Sequence, residues 1–283
     1  MTPHWLVSYH YYSDNDMREW VAKMYGGTTP ARLFVDSGAP SVQSKGVTVS
    51  LKEYAAWSRK WAHLIGHTAN LDVIGDAEGT FANQKALEAL GMKPIPVYHA
   101  GEPWEYLERY LESYPYIALG GMMKDAARLK PWLVRCFRLA EGKAVYHGFG
   151  MTRWAIIRDF PFYSVDSSSW MSGYRYGSFP LFSRGQWDKV EMFSRDVWQH
   201  ADLIKKHGIT PQSVADRSVY HWTAPFRAGM TAWIRAGDWL RQRHGEIPLE
   251  GHESGPILYL AADAASKDKR RMQIAGEVAE AVA

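Results

Sequence analysis

Between His4 and Trp170 the chain alternates seven short apolar runs with stretches of helical periodicity. "HWLVSYHYY" reads as a strand and precedes the helical "DNDMREWVAKMYG"; "RLFVDSG" precedes "LKEYAAWSRKWAHLIG". The other strand runs are "LDVIGD", "KPIPVYHAG", "YIALGG", "KAVYHGFG" and "FYSVDSSSW". The helices between them read "TFANQKALEALG", "PWEYLERYLESY", "DAARLKPWLVRCFRLAEG" and "MTRWAIIRDF", with Pro131 marking a kink or restart. Near-continuous apolar strands imply a parallel sheet covered on both faces, and strict alternation with helices implies βαβ units. A doubly wound open sheet satisfies the same pattern, but seven or eight units favour an α/β (β/α)8 TIM-type barrel. "PILYLAAD" is the candidate eighth strand, after a helical insertion from about Gln186 to His244. No linker rich in Pro, Gly or Ser divides the chain. Residues 1–185 are therefore read as the barrel core. Residues 186–283 are read as insertion, last strand and basic C-terminal segment of the same domain.

Apolar residues make up 46% of the 283, enough for a large core, which argues against global disorder. A net charge of +3 does not by itself mark a nucleic-acid binder. Basic residues do gather late: Arg227, Arg235, Arg241, Arg243, Lys267, Lys269, Arg270 and Arg271. They read either as a solvated helical face or as a phosphate-contacting surface. Cys136 is the single cysteine, which rules out an internal disulfide and a cysteine-rich zinc site and fits a reducing cytoplasm. No secretory signal is expected, and no run reaches the ~18 apolar residues of a membrane span.

The strand runs end as "VDSG", "IGDAEG", "VYHAGE", "LGG", "YHGFG" and "SVDSSSW". In a barrel these ends share one rim, the rim that carries active sites. Two chemistries suit it. Asp36, Asp76, His99, His147 and Asp166 are candidate ligands for a divalent metal, although no HxH or HExxH spacing is present. Alternatively, Asp36 and Asp166 form a carboxylate pair acting at an anomeric carbon. Plainer roles stand beside these: a turn at Asp36, a cap at Asp76, a cap by Asp166 with its serines, packing for His99 and His147, and a tight turn at Gly120 and Gly121. Trp170, Tyr174 and Tyr176 are candidate pocket walls or ordinary core.

From about Arg32 to Gly177 the ordered strand ends resemble the queuine tRNA-ribosyltransferase family, the tRNA-guanine transglycosylases. They are most similar to the shorter phage-type members that insert 7-deazaguanines into DNA. "FVDSGAPSVQ" resembles the segment with the general acid/base, which implies that role for Asp36, with Ser37 beside it in the base site. "LDVIGDAEGT" resembles the segment whose aspartate reads the guanine edge, implying Asp76, with Asp72 the alternative. "PVYHAGEPWEYL" resembles the segment in which a glutamine contacts the base, and His99 stands in that place. "YIALGGMM" resembles the segment whose glycines, here Gly120 and Gly121, bring backbone to the base. "YHGFGMT", with His147, resembles the strand end before the nucleophile strand, and "FYSVDSSSWMSGYRYG" resembles the nucleophile segment, implying Asp166.

The chain departs from the family at Pro40, where an aromatic is usual, at His99, and in lacking the zinc motif that docks RNA. The resemblance therefore implies base exchange in DNA, with tRNA as the alternative, a 7-deazaguanine as incoming base and no cofactor. The late basic cluster, Arg235, Arg241, Arg243, Lys269, Arg270 and Arg271, is the candidate contact surface for the polymer, and partner proteins or a homodimer stay open. Two other functions compete: a metal-dependent or two-carboxylate hydrolase of nucleosides or glycosides, and a non-catalytic nucleic-acid-binding barrel.

Overall fold

The computed structural model describes residues 4–24, 32–38, 49–122, 126–171, 177–221 and 223–262. Eight parallel strands form one curled sheet: β1 His4–Ser8, β2 Leu33–Asp36, β3 Ile65–Thr68, β4 Val97–His99, β5 Tyr116–Gly120, β6 Val145–Gly148, β7 Ser164–Ser167 and, last in the sequence, β10 Ile257–Ala261. The sheet order is β3-β2-β1-β10-β7-β6-β5-β4. The C-terminal run thus supplies the eighth strand, inserted between β1 and β7. The edge strands β3 and β4 meet at a single parallel bridge, Ala69 with Ile95. There Ile95 N–H donates to Thr68 O at 2.8 Å and Asn70 N–H donates to Ile95 O at 2.9 Å. The sheet is TIM-like in order and direction, but no continuous ladder closes it.

Strand periodicity sorts the residues onto two faces. Leu6, Phe34, Val97, Tyr116, Ala118, Ile257 and Tyr259 pack together inside the curl. Their alternates Trp5, Val7, Leu33, Val35, Tyr98, Ile117, Leu119, Val165 and Leu258 belong to the larger core beneath the helices. The helices of the repeat are α1 Tyr9–Tyr12, α2 Met17–Met24, α3 Leu51–Lys60, α4 Ala77–Ala89, α5 Trp104–Leu111, α6 Ala126–Ala140 and α7 Trp154–Asp159. α6 runs continuously through Pro131, so the proline does not restart the helix. Ser50 caps α3 by accepting from Glu53 N–H at 3.4 Å, the S-x-x-E arrangement of a capping box.

Three boundaries differ from the sequence reading. The first apolar run turns helical at Tyr9. The third strand is "IGHT", not "LDVIGD": α3 stops at Lys60, and the chain pairs with β2 through Phe34–His67 and Val35–Thr68. The polar His67 and Thr68 broke the apolar run that marks the other strands. The insertion opens with an antiparallel hairpin, β8 Ser178–Ser183 and β9 Gln186–Glu191, before the expected boundary at Gln186. Short helices α8 Asp196–Gln199, α9 Ala201–Lys206 and α10 Gln212–Ala215 follow, and then the long α11 Ala224–His244. The insertion has its own small core of Phe179, Leu181, Val190, Val197, Ile204 and Val214. Among the described residues no helix is long and apolar enough to cross a membrane.

Candidate active site

At the C-terminal ends of the strands lies a cavity of about 860 Å³. Asp36, Asp72, His99, Glu102, Gly120, Gly121, Phe149, Gly150 and Asp166 contribute to its wall. Parity explains the convergence. Asp36 follows Val35, His99 follows Tyr98, Gly120 follows Leu119 and Asp166 follows Val165; each of these predecessors packs on the outer face. The second residue of each pair therefore falls on the inner face, which brings the Asp36, His99 and Asp166 side chains inward. The strands are staggered, as a curled sheet requires. Asp166 lies level with Tyr259 and His4, whereas Asp36 lies level with Ser8 at the other end of β1.

Asp166 ends an inner row of polar groups. Its Oδ1 accepts from Gly150 N–H at 2.7 Å and lies 3.3 Å from His147 Nε2. That approach is too oblique for a full hydrogen bond, and Nε2 has no hydrogen-bond partner among the described residues. His147 is fully buried and stacks on Phe34 at 4.3 Å. Its Nδ1 meets Ser164 Oγ at 2.6 Å, and Ser164 Oγ meets the Tyr116 hydroxyl at 2.5 Å. Burial holds His147 below its ordinary pKa against the upward pull of Asp166, so the ring is neutral near pH 7. His147 is thus a support beneath Asp166 and does not line the cavity. The serines after Asp166 make their own turn, with Ser169 N–H donating to Ser167 Oγ at 2.9 Å, so Asp166 is not their cap.

On the other side of the cavity three side chains interlock. His99 Nε2 lies 2.8 Å from Asp72 Oδ2, and His99 Nδ1 lies 2.9 Å from Glu102 Oε1. Glu102 Oε2 also accepts from the His99 backbone N–H at 2.9 Å. Ser37, fully buried, donates to Asp72 Oδ1 at 3.4 Å. Burial disfavours a charge on His99, but the bonds to Asp72 and Glu102 outweigh it and raise its pKa to about 9. The ring is therefore an imidazolium with both nitrogens engaged.

Asp76 takes the plainer role. It is the N-cap of α4, its Oδ1 accepting from Gly79 N–H at 2.9 Å, and it is not part of the cavity wall. Asp72 occupies the wall position instead, because the strand ends at Thr68 and the rim is reached a few residues earlier than "LDVIGD" implied. Gly120 has a specific use: a Cβ there would come within 2.6 Å of His99 Cδ2, so the missing side chain makes room for the imidazole. Gly121, at φ +69°, turns the chain through a conformation that L side chains rarely adopt. Trp170 is core, edge-on to Trp5 at 5.6 Å and donating to Ala261 O at 3.2 Å. Pro40, Tyr174, Tyr176, Lys267, Lys269, Arg270 and Arg271 lie outside the described residues.

The other basic candidates sit away from the cavity. Arg241 donates to Pro256 O at 3.1 Å and pairs with Glu253 at 3.2 Å; Arg243 donates to Arg158 O at 2.9 Å. Pro256 precedes β10 and Arg158 lies in the last turn of α7, so both arginines belong to the N-terminal rim, opposite the cavity. Arg235 donates to Lys206 O at 2.6 Å within the insertion. A second cavity of about 770 Å³ opens at this opposite rim, between Pro94, Tyr116, His67 and His252. Its imidazoles are held neutral by burial, His67 at a pKa of about 3, and of the two carboxylates in its wall, Glu88 and Glu250, Glu88 is already bonded to Gln84, Lys85 and Tyr114. The functional assignment therefore goes to the cavity at the C-terminal rim. Among the described residues no three His, Cys, Asp or Glu side chains are grouped to hold a metal ion.

Sequence reasoning missed Glu102, Phe149 and Gly150. Glu102 was legible as a carboxylate three residues after His99 in the turn "HAGEP", where Gly101 adopts φ +98°. No protein-family model matches the chain, and no curated protein does.

Proposed function

We propose that the protein is a base-exchange transglycosylase that replaces guanine with a 7-deazaguanine through a covalent intermediate on Asp166. The observation that carries this reading is the convergence of Asp36, Asp72, His99, Gly120, Gly121 and Asp166 on one cavity. The resemblance to the tRNA-guanine transglycosylases assigns these positions to acid/base, base recognition and nucleophile, except that it prefers Asp76 for reading the guanine edge and gives Asp72 as the alternative. The finer fold description, a (β/α)8 barrel with an irregular β3–β4 seam, belongs to the same proposal.

In the proposed reaction an Asp166 oxygen attacks C1′ of the target nucleotide. The C1′–O bond forms as the C1′–N9 bond breaks, and its electron pair leaves with the base. Asp36 delivers a proton to the departing guanine. The incoming base gives its N9 proton back to Asp36 and attacks C1′, expelling Asp166 and restoring both carboxyl groups. Asp72 accepts from the N1–H and N2–H₂ donors of either base, which present two parallel hydrogens to a carboxylate. A base paired within a duplex cannot enter such a cavity, so the nucleotide is single-stranded or flipped. DNA is the proposed polymer on the strength of the phage-type resemblance, and Arg241 and Arg243 are not part of its contact surface.

The test is incorporation. The protein is incubated with guanine-containing DNA and tRNA in equal amounts, together with labelled guanine, preQ0 or preQ1, and label is counted in each polymer. Label in DNA, lost in Asp166→Ala, supports the proposal. Label in tRNA alone moves the substrate to RNA, and no label in either polymer overturns base exchange.

A further inference from the structure

Resting on that reading, we propose that Glu102 is a positioning residue. Through His99 it fixes the Asp72 carboxylate as an acceptor, and so makes the cavity selective for bases that present two adjacent N–H donors. The side chains of Asp72, His99 and Glu102 are each about nine-tenths buried or more, at 8%, 8% and 7% exposure. Burying two carboxylates is costly unless their oxygens are satisfied. One imidazolium satisfies both: Nδ1–H donates to Glu102 and Nε2–H to Asp72. Gly120 lets the ring sit flush against β5. Glu102 is itself fixed twice, accepting from the ring and from the His99 backbone N–H. The turn therefore grips the imidazole from behind, and the imidazole grips Asp72 from the side.

Of the two neutral tautomers, the one with its hydrogen on Nε2 keeps Asp72's donor but turns an Nδ1 lone pair towards the Glu102 carboxylate, and the other is worse for Asp72. A neutral ring carrying its hydrogen on Nδ1 still donates to Glu102, but turns an Nε2 lone pair towards the Asp72 carboxylate. Asp72 would then rotate towards its remaining donor, Ser37, and lose its aim into the cavity. Both carboxylates together hold the proton on: folded His99 has its pKa raised above the ordinary 6.5, to about 9. The stabilisation is therefore complete below about pH 6.5 and is lost as pH rises through about 9. The other groups facing this unit are Ser37, Asp36 in the same cavity wall, Tyr54 on α3, which feels the Asp72 charge, Tyr98, which donates to Glu102 O at 3.0 Å, and Tyr110 on α5. Burial raises all three tyrosines above their ordinary range, so none loses its proton where His99 does.

The experiment follows the imidazole and the ligand separately in the full chain. Proteins labelled with ¹⁵N-histidine, wild type, Glu102→Gln and Glu102→Asp, are titrated by NMR, and guanine affinity is measured across the same pH range by calorimetry. The wild type should titrate at His99 near pH 9, and Glu102→Gln about one unit or more lower, the loss of one charged partner. Guanine binding by Glu102→Gln should fall about tenfold at a pH between the two midpoints, while at acid pH it stays near wild type. Glu102→Asp, which keeps the charge at shorter reach, should lie between. An unchanged His99 titration in Glu102→Gln overturns the proposal. So does a shifted titration with an unshifted guanine profile, because Asp72 would then not depend on the clamp. If Glu102→Gln does not fold, a wild-type His99 midpoint near the ordinary 6.5 overturns it alone. If the wild type binds no guanine at any pH while His99 shifts as expected, the base-exchange reading falls and the clamp stands.

Discussion

Asp72 and Asp76 lie one helical turn apart in sequence and have different work in the fold. Asp76 satisfies an N–H at the start of α4, and Asp72 faces the cavity. Asp76→Ala should therefore cost about 1 kcal/mol of stability, the usual value of an N-cap, and leave guanine affinity unchanged. Asp72→Asn should also cost stability, because it removes the charge from a buried pair with His99, but unlike Asp76→Ala it should weaken guanine binding tenfold or more, since each charge-assisted hydrogen bond is worth about 1.5–3 kcal/mol. Calorimetric base binding on the two variants separates the roles; guanine binding lost in Asp76→Ala and kept in Asp72→Asn would reverse the assignment. Asp36→Asn belongs beside them. An amide cannot carry the proton, so exchange should drop by about 10²–10⁴-fold while base binding survives.

Elements explain why part of the site was legible and part was not. Strands β2, β4, β5 and β7 announce themselves as apolar runs, and their ends at Asp36, His99, Gly120 and Asp166 fall where the runs stop. β3 does not. Its residues Ile65–Thr68 are half-buried and mixed in polarity, so the apolar Leu71, Val73 and Ile74 drew the strand forward and carried the rim from Asp72 to Asp76. Side-chain partners were also out of reach. Nothing in "HAGEP" says that Glu102 folds back on His99, because that depends on the turn at Gly101 and on the space left by Gly120. That space is testable. Gly120→Ala places a Cβ against a ring already held at both nitrogens, so it should destabilise by about 1–3 kcal/mol and weaken guanine binding. Denaturant titration measures the first effect and calorimetry the second; a neutral substitution would mean that the ring has room to move.

On the scale of the whole molecule the sheet has two ends with different contents. Carboxylates and the imidazolium collect at the C-terminal rim, and Arg241 and Arg243 brace the N-terminal rim against backbone carbonyls. Replacing both arginines with alanine should lower the melting temperature and leave the salt dependence of polymer binding unchanged. A slope reduced by about one unit per arginine would return them to the phosphate-contacting surface. The central claim concerns the opposite end: Asp166 bonds to C1′ during exchange. Intact-protein mass spectrometry of the protein quenched in acid with a short guanine-containing oligonucleotide tests it directly. A mass increase equal to the oligonucleotide less one guanine, mapped to Asp166 and absent in Asp166→Asn, is the predicted result. Exchange of labelled guanine with no such adduct, or an adduct that persists in Asp166→Asn, would contradict it.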